Sequence, residues 1–215
     1  MHRLNLKPLI YVSSGLAILI WLGLIYLTGV DFKQDPVAAL KMLSPSLGIV
    51  FVLALCFVQW FWRWKIWPKS IVPIPNLNGT WVGHLQSTWI SPETNEKIPP
   101  IPVALVIDQT FLRCTCTQIT KESTSMSFQS SLILNENDTV YLCFSYSNSP
   151  KMAVQERSPT HSGTAMLRIA NGEKILLIGE YWTSRKTTGD IELEFRTDKK
   201  WQSLPNEFTH PNETR

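Results

Sequence analysis

Residues 174–196, KILLIGEYWTSRKTTGDIELEFR, decide the fold. The second half alternates strictly: Ile191, Leu193 and Phe195 are separated by Glu192 and Glu194, the period of a strand with one buried face. The first half carries β-branched and aromatic residues, and a short polar stretch divides the two, so the segment reads as a β-hairpin. On the face of the first strand that carries Leu177 and Gly179, the next positions are Tyr181, Thr183 and Arg185. A core-facing strand that ends in a phenol, a hydroxyl and a guanidinium marks an interior that turns polar toward one rim.

Working outward, the same texture recurs from Gly79 to about Arg196. Eight runs alternate or are rich in β-branched residues: 80–89, 101–109, 111–120, 125–134, 139–148, 161–170, 174–184 and 188–196. Most connections are short and carry turn residues, such as NEND at 135–138 and NGE at 171–173. The 148–160 connection is longer and charged, which fits a lid. Consecutive short hairpins predict an eight-stranded antiparallel up-and-down β-barrel, because closure removes exposed edges. Such a barrel is just wide enough to be filled by side chains or to hold one small ligand.

Parity then assigns the faces. Ala165, Leu167 and Ile169 face in on the sixth strand, which brings His161 and Gly163 inward at its start. Leu142, Phe144, Tyr146 and Asn148 share the inner face of the fifth strand. Antiparallel neighbours place the end of one strand beside the start of the next. Tyr146, Asn148, His161, Tyr181, Thr183 and Arg185 are therefore expected at one end of the barrel, with the apolar residues at the other. Arg185 has two readings: a rim guanidinium that extends into solvent, or a fork-shaped partner for a phosphate beside aromatic rings that stack on bases. Glu156 in the long connection is the nearest prospective carboxylate partner.

The N-terminal third is of another kind. Residues 9–29 carry no charge, nor do residues 46–62, and each run is long enough to cross a bilayer once Leu43–Pro45 are counted as the entry of the second. A cleaved signal peptide fits poorly, since the first run is too long and a second follows. Arg3 and Lys7 precede the first span and Arg63, Lys65 and Lys69 follow the second, against Lys33 and Lys41 between them. That imbalance places both termini in the cytoplasm, with Trp60, Trp62, Trp64 and Trp67 as an interfacial belt. The expected organisation is a membrane region at 1–66, a proline-bearing linker at 67–78, a cytoplasmic ligand-binding barrel at 79–198 and a polar, unstructured tail at 199–215. Together these make a membrane-anchored all-β protein.

Residues 70–215 hold thirteen basic and fifteen acidic residues, so the soluble part lacks the positive field that duplex nucleic acid demands. An anionic ligand must be small and met by a few specific side chains. The four cysteines show no paired C-x-x-C spacing, and Cys114 and Cys116 share one strand face, which fits reduced, buried thiols. Neither G-x-S-x-G, H-E-x-x-H nor a P-loop occurs, and His161 and Ser162 point to opposite faces of a strand. No catalytic residue, metal site or cofactor is expected.

Two spans, NGTW opening a barrel, S-Y-S-N-S-P, H-S-G-T-A and G-E-Y-W-T-S-R-K-T-T-G together resemble the two-transmembrane β-barrel effectors of bacterial CBASS anti-phage defence, the CD-NTase-associated effectors with a minimal lipocalin-like barrel. The likeness covers roughly residues 9–196 and is strongest in the Y-x-T-x-R-x-x-x-G hairpin. It implies a multi-pass protein of the bacterial inner membrane whose barrel binds a cyclic di- or oligonucleotide made by a CD-NTase. It further implies that binding drives homo-oligomerisation, and that the spans then disrupt the lipid bilayer and cause abortive infection. Carried onto this chain, nucleotide contacts fall on Tyr181, Thr183 and Arg185, with His161, Tyr146 and Asn148 near. The rival readings are a tethered carrier of an apolar ligand, a membrane-anchored protein-interaction barrel, and an enzyme of nucleotide or lipid metabolism.

Overall fold

The computed structural model describes residues 7–208 apart from 93, 136 and 138, and it describes Asn171 by its backbone alone. Two compact units emerge. One runs to Pro75 and takes in Thr110–Leu112; the other holds the remaining residues from Asn76 onward.

The helical unit consists of α1 (Lys7–Thr28), α2 (Pro36–Lys41) and α3 (Leu43–Gln59). The segments 7–28 and 36–59 are long and apolar enough to cross a membrane. The connection between the two charge-free runs, read from sequence as a loop, is largely helical. Asp35 caps α2 by accepting the Ala38 N–H at 2.9 Å, and Pro36 occupies the first turn, where its missing N–H costs nothing. Trp21 ties α1 to α2 by donating its indole N–H to the Ala39 carbonyl at 2.8 Å. Phe111 belongs to this unit: its N–H bonds the Val58 carbonyl at 3.0 Å, and its ring meets Phe57 and Trp62. The strand expected to start at residue 111 accordingly starts at Cys114.

The second unit is a closed barrel in strict sequence order: β1 (Gly79–Ser87), β2 (Ile101–Gln109), β3 (Cys114–Ile119), β4 (Ser123–Leu134), β5 (Val140–Pro150), β6 (His161–Asn171), β7 (Ile175–Thr183) and β8 (Thr188–Thr197). Every pairing is antiparallel, and β1 closes on β8 with Leu85 opposite Ile191 and Trp81 opposite Phe195. Alternation dictates the core. Trp81, Leu105, Ile107, Leu142, Phe144, Leu167, Leu177, Ile191 and Leu193 are all essentially sealed from solvent. Each such side chain contributes about 1.5–3 kcal/mol on burial, so the middle of the barrel is held by its own side chains. Tight curvature requires Gly83 and Gly179, where any Cβ would overlap the Glu192 and Met166 carbonyl oxygens.

The end at which the chain enters the barrel is closed and internally satisfied. Leu77 donates its N–H to the Gln109 side-chain oxygen at 2.7 Å, and the Trp81 indole N–H bonds the Leu77 carbonyl at 2.9 Å. The segment after β8, expected as a free tail, is held there across residues 199–208. Buried Thr80 donates to the Lys199 carbonyl and accepts the Trp201 N–H, and Trp201 packs on Phe208.

Candidate ligand-binding site

At the opposite end the inward positions become polar, and strand register places them level with one another. Gln118 of β3 lies across from Ser125 of β4, Ser125 from Asn148 of β5, and Asn148 from His161 of β6. One step deeper, Tyr146 faces Gly163, which faces Thr183. Next to them Tyr181 faces Gly189, which faces Ser87 of β1.

The two glycines make room for the two rings. A Cβ on Gly163 would stand 2.5 Å from the Tyr146 hydroxyl oxygen, and one on Gly189 would stand 2.6 Å from the Tyr181 ring. Tyr146 and Tyr181 thus form a floor over the apolar core. Burial, helped by the neighbouring Tyr181, pushes the Tyr146 phenol up to about 12, so it remains a neutral donor at physiological pH. Neither tyrosine hydroxyl has a hydrogen-bond partner among the described residues.

Five of the residues picked out from sequence—Tyr146, Asn148, His161, Tyr181 and Thr183—do come together on β5, β6 and β7. Asn148 is 5% exposed and its Oδ1 accepts from Ser125 at 2.8 Å. His161 Nδ1 lies 2.9 Å from the Pro159 carbonyl, to which it donates, so Nε2 is the ring nitrogen without that contact. Thr183 is partly committed, its hydroxyl paired with Thr187 at 2.6 Å in the hairpin turn.

Arg185 takes the exposed rim position that is one of its two readings, but not as part of the strand. It lies beyond β7, which stops at Thr183, because Lys186 takes a left-handed conformation (φ 61°) that folds the chain into the turn. Arg185 is exposed and donates to the Ser158 hydroxyl at 2.9 Å; Ser158, not Glu156, is its partner. No ion pair engages it among the described residues. The long connection it touches is anchored on its other side as well. Lys151 donates its N–H to the Glu122 carbonyl, and Arg157 pairs with the Glu122 carboxylate. Three successive connections of this rim are therefore tied together.

Sequence reasoning missed Gln118, Ser125 and Ser87, all buried at this end. The signal was present: Gln118 shares parity with Cys114 and Cys116, and a glutamine in that register has nowhere to point but inward. Those two thiols lie deeper in the barrel and all four cysteines are free. A hydrogen bond between them lowers the Cys114 thiol and raises Cys116, which burial raises further. Rim charge also differs between the ends. Among the described residues the connections of the polar end hold Lys97, Lys121, Lys151, Arg157, Arg185 and Lys186 against Glu96, Glu122 and Glu156. Among the described residues no His, Cys, Asp and Glu group is placed to hold a metal ion.

A closed eight-stranded barrel with one polar, hydrogen-bonding end, preceded by two span-length helices, defines the class of protein. The family model described as "Cap15, cyclic dinucleotide receptor domain" matches residues 72–195, and the chain belongs to that family. A curated relative, CD-NTase-associated protein 15 of Staphylococcus schleiferi, is 24% identical over 190 residues, covering 88% of this chain and 97% of the relative. Family and relative bear out the resemblance to CBASS effectors read from the sequence.

Proposed function

We propose that this protein is a membrane-bound CBASS effector that binds a cyclic nucleotide made by a CD-NTase at the polar end of its barrel. The observation that carries this reading is the set of inward polar groups at that end—two tyrosine hydroxyls and two side-chain amides—in a family described as cyclic dinucleotide receptors. The chemistry matches the ligand class. Tyr181 and Tyr146 offer ring faces and hydroxyl groups, Asn148 and His161 offer edge contacts, and Arg185 offers a guanidinium free of any carboxylate. The core beneath the tyrosines is occupied, so the messenger sits at the mouth and not in a through-going hollow. The Arg185–Ser158 bond is one that a phosphate replaces, which couples binding to the 151–160 connection. The protein acts as a receptor and carries out no reaction.

In this reading residues 1–66 anchor the protein in the bacterial inner membrane, and the N-terminus and the barrel at 79–198 are cytoplasmic. Messenger binding drives homo-oligomerisation, the spans disrupt the bilayer, and the infected cell dies. Two features support assembly. Strands β3, β4 and β5 contain no charged residue, and the β4 bulge turns Phe128 outward, 69% exposed, beside Met126 at 65%. Within the helices, a Cβ added at Gly15, Gly23 or Gly48 would meet open space, which leaves these backbones accessible to a neighbouring helix.

The test is a titration of the full chain in lipid nanodiscs with a panel of cyclic dinucleotides. At least one binds the wild type, and Arg185→Ala weakens it about tenfold or more, the worth of a charge-assisted bond to phosphate. Wild-type affinity in Arg185→Ala removes Arg185 from the site; no binding across the panel removes the receptor reading.

A further inference from the structure

We propose that Gln118 reads a base edge of the bound cyclic dinucleotide, and that the base it selects is adenine. This rests on the receptor reading above. The residue is 8% exposed, yet its side-chain amide has no hydrogen bond among the described residues. Its amide atoms still reach solvent at the mouth, so an inward amide with no partner in the protein is open to a ligand there.

Position identifies that partner. Gln118 stands between Leu105, a core residue on one side, and Ser125 on the other. The Ser125 hydroxyl is already given to Asn148 at 2.8 Å, so neither neighbour saturates the glutamine. The amide presents one donor and one acceptor in a plane, close in register to the tyrosine floor. A phosphate would satisfy the NH₂ and be repelled by the amide oxygen. A base edge satisfies both, and of the two purine Hoogsteen edges only that of adenine, N6–H beside N7, offers the donor and acceptor that an amide matches bidentately; guanine offers two acceptors there. Gln118 is thus separated in role from Arg185: one reads the base and the other meets the phosphate.

The experiment uses the full chain in nanodiscs and three cyclic dinucleotides, containing two adenines, one adenine or none. The wild type is expected to favour the adenine-bearing ligands. Gln118→Leu, which keeps apolar volume and removes both hydrogen-bonding atoms, lowers affinity for those ligands roughly 10- to 100-fold and flattens the ranking. Gln118→Glu, which keeps the shape but loses the donor, also loses the preference and serves where the leucine variant folds poorly by its thermal melt. A wild type that ranks the adenine-free ligand first overturns the adenine assignment. Unchanged affinity and ranking in a folded variant overturns the role of Gln118 while leaving the receptor reading intact. Failure of the wild type to bind any of the three defeats the receptor reading and this inference with it.

Discussion

The two ends of the barrel are built from the same eight strands, yet they treat inward polar groups in opposite ways. At the entry end every prominent polar group has a partner: Gln109 holds Leu77, the Trp81 indole holds the Leu77 carbonyl, and Thr80 bonds both Lys199 and Trp201. At the other end the hydroxyls of Tyr146 and Tyr181 and the amide of Gln118 are left open, although Tyr146 and Gln118 are nearly sealed from solvent. The open groups still reach solvent, so one end closes on its own partners and the other presents donors and acceptors at its mouth.

Substitutions at the two ends should separate these roles. The largest stability effect belongs to the closed end. Trp81→Ala removes a ring packed on Phe195 and the bond to Leu77, and about 3–5 kcal/mol should be lost in a denaturant melt of the full chain. An open-end residue giving a comparable loss would break the contrast.

A smaller effect sharpens it through pH. The Tyr146 phenol sits at about 12 in the folded protein against an ordinary 10. Between those values the unfolded chain has released the proton that the folded chain keeps, so stability is full below pH 10 and declines as pH rises through the window. The loss amounts to roughly 2–3 kcal/mol. Tyr146→Phe should remove that slope, which melts at pH 9 and pH 11.5 would reveal.

The smallest effect concerns the turn that sets Arg185 off the strand. Lys186 occupies a left-handed conformation that glycine adopts freely, so Lys186→Gly should stabilise the unliganded barrel by about 1 kcal/mol. A decrease in melting temperature would show that the lysine side chain supports the rim.

Much of the fold was legible because strand period and turn chemistry are local. The number of strands, their order and the inward face of β5–β7 follow from alternation alone, and so does the gathering of Tyr146, Asn148, His161, Tyr181 and Thr183. The departures arise where longer-range contacts override a local pattern. Phe111 looks like the first residue of a strand, but its ring and N–H are taken by the helical unit. Arg185 continues the parity of β7, but the Thr183–Thr187 pair and the left-handed Lys186 end the strand first. Residues 36–41 look like a loop until Asp35 caps them into a helix. Gln118 was overlooked because its parity with Cys114 and Cys116 points it inward without saying at which level; register across β3, β4 and β5 puts it level with Asn148.

Hydrogen exchange of the full chain in nanodiscs, with and without a saturating cyclic dinucleotide, tests the central claim most directly. The account predicts new protection at the connections of the polar end, residues 120–124, 150–161 and 183–188, with none at 110–113, 135–139 or 172–174. Protection confined to the latter group, or spread evenly over both ends, would contradict it.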